Sequence, residues 1–210
     1  MLRFIIYISI LFFAGACVDS CPRLQTGDLL FQVGAESDMS GAISAATGTG
    51  KALDFTHVGI ALSHAGADSV LEATSDGGVQ IVPLGEFLDR SARLNARPIV
   101  VVKRLRDTTG IAGSVKRARG YIGQPYDYSF RPDNGRMYCS ELIWESYRDA
   151  AGERIFEARP MNFRAADGSM PVFWIQLFER LGEPIPEGVP GTNPNDMARE
   201  AVLEEVGRFF

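Results

Sequence analysis

The sequence predicts an α+β domain in which helices cover one face of an antiparallel sheet. Short apolar segments separated by polar or glycine-containing turns dominate residues 25–83, which is typical of hairpin-connected strands. Helical spacing then appears in three later segments, with one dense β-branched strand between them. The order of early strands followed by helix, strand, helix and helix favours the α+β class. With 210 residues, the chain has room for one domain with a sizeable core.

The elements follow in this order. A turn at Gly27-Asp28 precedes a short buried strand, and residues 35–52 form a loop or one short helix at 40–46 that could carry substrate contacts. Further strands are predicted at 57–62, 70–73, 79–83 and 99–105, and helices at 84–93, 109–122 and 139–151. The second helix turns Ala112, Val115, Ala118, Arg119 and Ile122 to one side, and Gly152 closes the third. Residues 126–137 form an aromatic loop, and 184–194 an irregular, proline-rich arm.

The first 16 residues have the pattern of an export signal. Arg3 is followed by an almost unbroken apolar run over 4–13 and then by the small residues Ala14-Gly15-Ala16. This run is shorter than the roughly 20 residues that a membrane-spanning helix needs, although an uncleaved N-terminal anchor is the rival interpretation. We therefore predict export of the protein and a single domain over residues 22–210.

Cys17 follows the small residues, in a pattern that resembles a bacterial lipobox with Ala14 where leucine is usual. The favoured prediction is lipidation of Cys17, membrane attachment through it, and a periplasmic or outer cell-envelope lipoprotein. Firm anchoring would then require several acyl chains, since one chain binds a bilayer weakly. Ordinary cleavage near Ala16 is the alternative, and an unmodified Cys17 could form a disulfide with Cys21.

Charge gives no support for nucleic-acid binding. The formal net charge is -5, and hydrophobic and charged residues make up 46% and 22% of the chain, as in ordinary globular proteins. The densest basic stretch, at 116–119, has helical spacing and is interpreted as a solvated helix face.

Cys139 and His57 are the leading candidates for chemistry. The only histidines are His57 and His64, and His64 lies in the polar tip of a predicted hairpin, where a solvated residue is expected. Cys139 stands at the start of a predicted helix, whose positive end stabilises a thiolate and whose free N–H groups can form part of an oxyanion hole. Taken alone, His57 could be structural and Cys139 a small buried hydrophobe.

Glu72 is the candidate for the third polar group that orients such a pair. If Leu62 pairs with Ser69 in the hairpin, Glu72 lies opposite Gly59 and one diagonal step from His57, on the same face of the sheet. A register in which the numbers of the paired residues add up to an even value would place Glu72 on the other face. Glu141, early in the predicted helix, is interpreted first as opposing the helix dipole and second as a site residue.

Other kinds of site have little support in the sequence. Two histidines seven residues apart and one distant cysteine match no compact zinc spacing, so no metal site is predicted. The sequence has no G-x-S-x-G elbow, phosphate-binding glycine loop or dinucleotide fingerprint. No cofactor is implied.

Five segments together resemble the YiiX/YebB-like permuted papain-like amidases of the NlpC/P60 superfamily. They are Gly27-Asp28-Leu29-Leu30-Phe31, Thr56-His57-Val58-Gly59-Ile60, Glu72-Ala73, Tyr138-Cys139-Ser140-Glu141-Leu142 and Gly191-Thr192-Asn193-Pro194. The resemblance runs from about residue 24 to 198, and its histidine-before-cysteine order is that of the permuted members.

The resemblance implies a circularly permuted papain-like fold, with a nucleophilic cysteine opening a helix that packs on the sheet bearing the histidine. It implies Cys139 as the nucleophile, His57 as the base and Glu72 as the third residue. Tyr138 is expected to shape the oxyanion pocket and Tyr126 to line the cleft.

The predicted activity is hydrolysis of an amide or ester bond through an acyl-enzyme. A cell-wall peptide or a related γ-glutamyl or lysine-containing amide is the favoured substrate. One alternative is acyl hydrolysis or transfer on a lipid or thioester, and another is a catalytically silent peptide-binding module at the cell surface.

Overall fold

The computed structural model describes residues 21–50, 53–65 and 67–210, and Cys17 and the predicted export signal lie outside them. The strands are β1 (Leu29–Gln32), β2 (His57–His64), β3 (Ala67–Thr74), β4 (Gly78–Pro83), β5 (Arg93–Leu94), β6 (Arg97–Pro98), β7 (Val100–Leu105), β8 (Arg159–Pro160), β9 (Pro190–Gly191) and β10 (Leu203–Arg208). The helices are α1 (Asp38–Thr47), α2 (Leu84–Asp89), α3 (Ile111–Arg119), α4 (Cys139–Ser146), α5 (Val172–Leu181) and α6 (Pro194–Ala198). Within this part of the chain, no helix is long and apolar enough to cross a membrane.

Six of these strands form one antiparallel sheet, in the order β10-β7-β1-β2-β3-β4. The register of β2 with β3 is the predicted one, because Leu62 pairs with Ser69 and Ile60 with Leu71. Continued by one step, this register sets Glu72 opposite Gly59. The α+β class and the antiparallel sheet predicted from the sequence are thus confirmed.

The sheet is covered on both faces, so the prediction of helices on one face only is wrong in one respect. The larger core lies on the side of α3, α4 and α5, where Phe31, Val58 and Ile60 are fully buried. On the opposite side, Phe87 of α2 packs with the alternate strand residues Leu30, Ala61, Val70 and Val82. The reason is that β1, β2 and β3 are apolar on both faces, and the short α2 covers the second one.

Helix α4 is shorter than predicted, since it ends at Ser146 and not at 151. Tyr147 leaves the helical conformation (φ −86°, ψ 108°), and its buried hydroxyl donates a hydrogen bond of 2.9 Å to the carbonyl of Gly27. The backbone of Arg148 then pairs with that of Arg154 in an isolated antiparallel β-bridge. Gly152 takes a positive φ of 87° in the intervening turn. Gly152 is therefore a turn residue and does not cap the helix.

Two further helix predictions change in extent. Helix α2 ends at Asp89, four residues before the predicted end. Helix α3 spans Ile111–Arg119, and its buried side consists of Ser114, Val115 and Ala118, while Ala112, Arg119 and Ile122 are exposed. Ser114 can lie in this interface because its hydroxyl accepts a hydrogen bond from the Arg117 side chain (3.1 Å).

Strand β10 was not predicted. It pairs with β7 at the edge of the sheet and buries mainly Leu203, whereas Glu204, Glu205 and Arg208 are exposed. An edge strand with one buried side chain carries little periodic signal, and its charges are typical of edges that resist further pairing.

The N-terminal segment of the described chain runs from Pro22, beside Gly207 of β10, to Thr26 at the tip of the β2–β3 hairpin. Residues 22–25 border a surface hollow together with Ser63, Ala65 and Asp68 of this tip. Thr26 donates a hydrogen bond of 3.0 Å to the carbonyl of Ser63. His57 begins β2 at the opposite end of the same strand.

Candidate active site

Cys139 is the first residue of α4, as predicted, and is 5% exposed. Tyr138 precedes it in an extended conformation (φ −97°, ψ 169°), so the backbone turns sharply into the helix at the cysteine. The N–H groups of the first helical turn have no partner within the helix itself. The sulfur therefore lies beside groups that stabilise negative charge.

His57 and Glu72 form a hydrogen bond of 2.7 Å between Nε2 and Oε2. The His57 side chain is 16% exposed, and its ring packs against that of Phe87 with centroids 5.7 Å apart. Glu72 is fully buried. Because an ionised carboxylate can only accept, the proton in this bond belongs to Nε2 of His57.

The His57 ring also interacts with the Cys139 side chain, so the structure brings the three predicted catalytic residues together. Since Nε2 is bonded to Glu72, Nδ1 is the ring nitrogen left for the sulfur. Burial lowers the pKa of His57, but its interactions with Cys139 and Glu72 outweigh burial and raise this pKa to about 10. The imidazolium form is thus strongly favoured.

Glu72 has a second cationic partner that the sequence analysis missed, Arg90. One guanidinium nitrogen of Arg90 donates to Oε1 of Glu72, while His57 occupies Oε2. Burial raises the pKa of Glu72, but the interactions with His57 and Arg90 prevail and lower it overall. The signal in the sequence was indirect: a buried carboxylate has two oxygens to satisfy, and one imidazole satisfies only one of them.

Gly59 allows α2 to approach β2 closely. A Cβ atom at Gly59 would lie 2.4 Å from Cγ1 of Val70 and 3.2 Å from Cε2 of Phe87. Any side chain at this position would push away the helix whose end carries Arg90. The glycine of the Thr56–Ile60 segment therefore serves the packing around His57.

The Gly191-Thr192-Asn193-Pro194 segment supports the start of α4. The N–H of Thr192 donates to the Tyr138 hydroxyl (3.1 Å), and the Thr192 hydroxyl donates to that of Ser140 (3.1 Å). A Cβ atom at Gly191 would lie 3.0 Å from the same Tyr138 hydroxyl. Burial raises the pKa of Tyr138, which keeps its phenol neutral. The segment thus holds both neighbours of Cys139 in place.

Glu141 accepts a hydrogen bond from the backbone N–H of Tyr138 (3.3 Å). This contact fits the interpretation of Glu141 as a stabiliser of the helix start. Glu141 is also 2% exposed, and burial, with help from the charges of Asp127 and Glu145, raises its pKa to about 8.

Two spaces lie beside the catalytic residues and share Ile43 and Tyr126 in their linings. A mainly apolar cavity of about 40 Å³ adjoins Cys139 and is bordered by Ile43, Met161, Phe163 and Trp174, among others. A more polar cleft of about 410 Å³ adjoins His57 and includes Glu36, Asp76 and Arg90. Tyr126, which was expected to line the cleft, is buried and borders both spaces. Helix α1 lies beside them too, which agrees with the prediction that residues 35–52 carry substrate contacts.

Within the described residues, no group of three or more histidine, cysteine, aspartate and glutamate side chains is arranged to hold a metal ion. The potential ligands at the site are already committed to each other and to Arg90, since Glu72 uses one oxygen for His57 and the other for a guanidinium. This donor set does not fit a metal centre.

Comparisons with known proteins agree with this fold. The family model of permuted papain-like amidases, YaeF/YiiX, C92 family, matches residues 23–207. A protein of Escherichia coli (strain K12) called uncharacterized protein YiiX is 33% identical over 165 residues, which are 77% of this chain and 75% of that protein. The crystal structure of the metalloprotein YiiX from Escherichia coli O157:H7 superposes with a TM-score of 0.70 at 30% identity, covering 88% of this chain and 97% of that one.

The family match spans nearly the whole described chain, and in the structure the histidine strand precedes the cysteine helix. The chain therefore belongs to the permuted papain-like amidases of the YaeF/YiiX family, which are cysteine hydrolases.

Proposed function

We propose that the protein hydrolyses an amide bond through an acyl-enzyme on Cys139. The observation that carries this proposal is the placement of His57 between Cys139, with which it interacts, and Glu72, to which it is hydrogen-bonded at 2.7 Å. Cys139 is the nucleophile, His57 the proton carrier and Glu72 the residue that orients the imidazole. An intact set of this kind favours catalysis over the silent peptide-binding module, which does not need it.

In the first half-reaction, the Cys139 thiolate attacks the carbonyl carbon, and the C=O π pair moves onto oxygen. First-turn N–H groups of α4 stabilise this oxyanion, and Tyr126 borders the same space. The intermediate collapses with cleavage of the C–N bond, while the proton on Nδ1 of His57 passes to the departing amine. A thioester of Cys139 and neutral His57 result.

In the second half-reaction, His57 removes a proton from water and the hydroxide attacks the thioester carbon. Collapse of this second intermediate breaks the C–S bond, releases the carboxylic acid and restores the thiolate–imidazolium pair. Glu72 keeps its charge throughout and stabilises the imidazolium.

The polar cleft supports a peptide-like amide with a free amino group. Glu36 and Asp76 are exposed carboxylates in its lining and attract a cationic leaving group. Cell-wall peptides and lysine-containing amides carry such amines, so we propose them as the substrate class.

The apolar cavity is the observation that favours the second candidate, an acyl amide, ester or thioester of lipid type. Its volume of about 40 Å³ has room for about three water-sized groups. This space suits a small apolar side chain or the first carbons of an acyl chain.

A thiol-reactive probe tests the catalytic assignment. We expect iodoacetamide at pH 6 to modify Cys139 faster than Cys21, even though Cys21 is exposed and Cys139 buried, because an ordinary thiol is mostly protonated at that pH. His57→Ala should suppress the labelling of Cys139 at least tenfold, whereas His64→Ala, at the exposed hairpin tip, should leave it unchanged. Equal labelling of Cys139 in the wild type and His57→Ala proteins would refute the assignment.

Mass spectrometry then separates the two substrate classes. The wild type and Cys139→Ser proteins are incubated with muropeptides and, separately, with phospholipids and N-acyl amino acids. Cys139-dependent products from muropeptides alone support the first class, and products from acyl compounds alone support the second.

A further inference from the structure

Hydrogen bonds to the backbone of Arg90 and of the last turn of α2 hold Arg90 in place at the end of this helix. Its carbonyl accepts a hydrogen bond from the N–H of Ala35 (2.9 Å). The side-chain amide of Gln32 donates to the carbonyl of Phe87 (2.6 Å), which ties the last turn of α2 to β1. The guanidinium therefore starts from a fixed position on the cleft wall, 38% exposed, and reaches the fully buried Glu72.

The charged and titratable groups around Glu72 come from three elements. His57 faces it from β2, and Cys139 of α4 faces His57 in turn. From α2 come Arg90 and, behind it, Glu86, whose carboxylate accepts a second hydrogen bond from Arg90 (3.1 Å). On β4, Glu72 is paired with the uncharged Gln80. Arg90 is thus the permanent cation in direct contact with Glu72 in the described structure.

A histidine and a carboxylate alone in a buried site can share their proton in either direction, because burial penalises both charges. If Glu72 took the proton, Nε2 of His57 would lose its donor role and the ring would adopt the other tautomer. A fixed guanidinium on the second oxygen removes this ambiguity, since it stabilises only the ionised carboxylate.

We propose that Arg90 is a positioning residue for catalysis that acts through Glu72. Its guanidinium keeps Glu72 ionised, so that the His57 proton stays on Nε2 and Nδ1 remains free to exchange a proton with Cys139. This inference rests on the proposed function of Cys139 and His57, and it adds Arg90 as a fourth residue to the group formed by Cys139, His57 and Glu72.

The test is the rate at which iodoacetamide alkylates Cys139 between pH 4 and 8, followed on the Cys139 peptide by mass spectrometry. In Arg90→Gln, Glu72 should become protonated at higher pH, so the midpoint of the acidic limb should move up by roughly one pH unit, a loss of about tenfold in rate at any pH well below the wild-type midpoint. Arg90→Lys keeps the charge and should restore most of the shift. Arg93→Gln is the matched control, because Arg93 pairs with Asp89 at i,i+4 as Arg90 pairs with Glu86, without contacting Glu72.

An acidic limb in Arg90→Gln that coincides with the wild type would overturn the inference, as would an equal shift in Arg93→Gln. Wild-type Cys139 that fails to react, or reacts independently of His57, would instead remove the proposed function. If Arg90→Gln does not fold, a second comparison replaces it: the Glu72→Gln variant is compared with the double variant Glu72→Gln/Arg90→Gln. Neither protein contains a buried carboxylate that has lost its partner. Equal rates in these two proteins support action through Glu72, and a further loss in the double variant shows that Arg90 acts directly and contradicts the proposal.

Discussion

At the scale of single residues, Cys139 and Glu72 together favour the charged form of His57. A buried carboxylate is costly unless both oxygens have donors, and here His57 and Arg90 supply them. Its charge in turn favours protonation of His57. Cys139 and His57 therefore differ from a neutral cysteine and a neutral histidine in contact, because the imidazolium is the stable form of His57.

Histidine titration gives the first prediction. The pKa of His57 should lie near 10, above the ordinary 6.5, and Glu72→Gln should lower it by one unit or more because the opposing charge is lost. Imidazole nitrogen shifts of ¹⁵N-histidine-labelled protein measure this directly. The His64→Gln variant leaves His57 as the only histidine and assigns its signals.

The same shift predicts how stability varies with pH. Since the folded-state pKa of His57 is raised, its contribution is fully present below about pH 6.5 and is lost as the pH rises through about 10. Urea unfolding at pH 6 and pH 9.5 should show a larger fall in the free energy of unfolding for wild type than for His57→Gln. Equal falls in both proteins would contradict the assigned shift.

At the scale of elements, the close packing of α2 on β2 builds the wall of the site. We predict that Gly59→Ala destabilises the protein by about 1–3 kcal/mol, since the new Cβ atom overlaps Val70 and Phe87. Gly41→Ala is the matched control: in α1, its Cβ would meet nothing within 4 Å, and the better helix former should stabilise by roughly 0.5–1 kcal/mol. Thermal unfolding of both variants measures the difference, and equal effects would refute the packing argument.

Element prediction from the sequence succeeded where the signal was local. The alternation of β2 and β3 and the polar tip between them predicted the hairpin, and of the two kinds of register left open the structure has the one that places Glu72 near His57. The start of α4 at Cys139 was equally clear. Its end was wrong, because the Tyr147 hydroxyl bonds to Gly27, 120 positions away in the sequence. Arg90 was missed for the same reason, since its contact with Glu72 joins elements whose packing no local pattern reports.

At the scale of the whole molecule, the expected lack of metal dependence distinguishes this site from that of a metal-assisted hydrolase. The similar YiiX structure is described as a metalloprotein, but the donor groups here are engaged with one another. We therefore predict that EDTA changes neither Cys139 alkylation nor any hydrolysis that depends on Cys139. Loss of either with EDTA, restored by a divalent cation, would show that a metal takes part.

Attachment to the envelope is a second prediction at this scale, and it concerns Cys17, outside the described residues. We propose that Cys17 is lipidated, so Cys17→Ser should move the protein from the membrane fraction to the soluble fraction. Cys21→Ser, the exposed neighbouring cysteine, is the control and should stay with the membrane. Unchanged partitioning of Cys17→Ser would rule out the lipoprotein. Both proteins in the membrane fraction would then favour the uncleaved anchor, and both in the soluble fraction ordinary cleavage.

The packing of Pro22 against the edge of the sheet bears on how an anchored enzyme would be held. A Cβ atom at Gly207 of β10 would lie 2.4 Å from Cβ of Pro22, so the described chain begins beside the edge strand. The five steps from Cys17 to Pro22 span at most about 18 Å. If Cys17 carries lipid, that edge of the sheet is therefore held within about 18 Å of the bilayer.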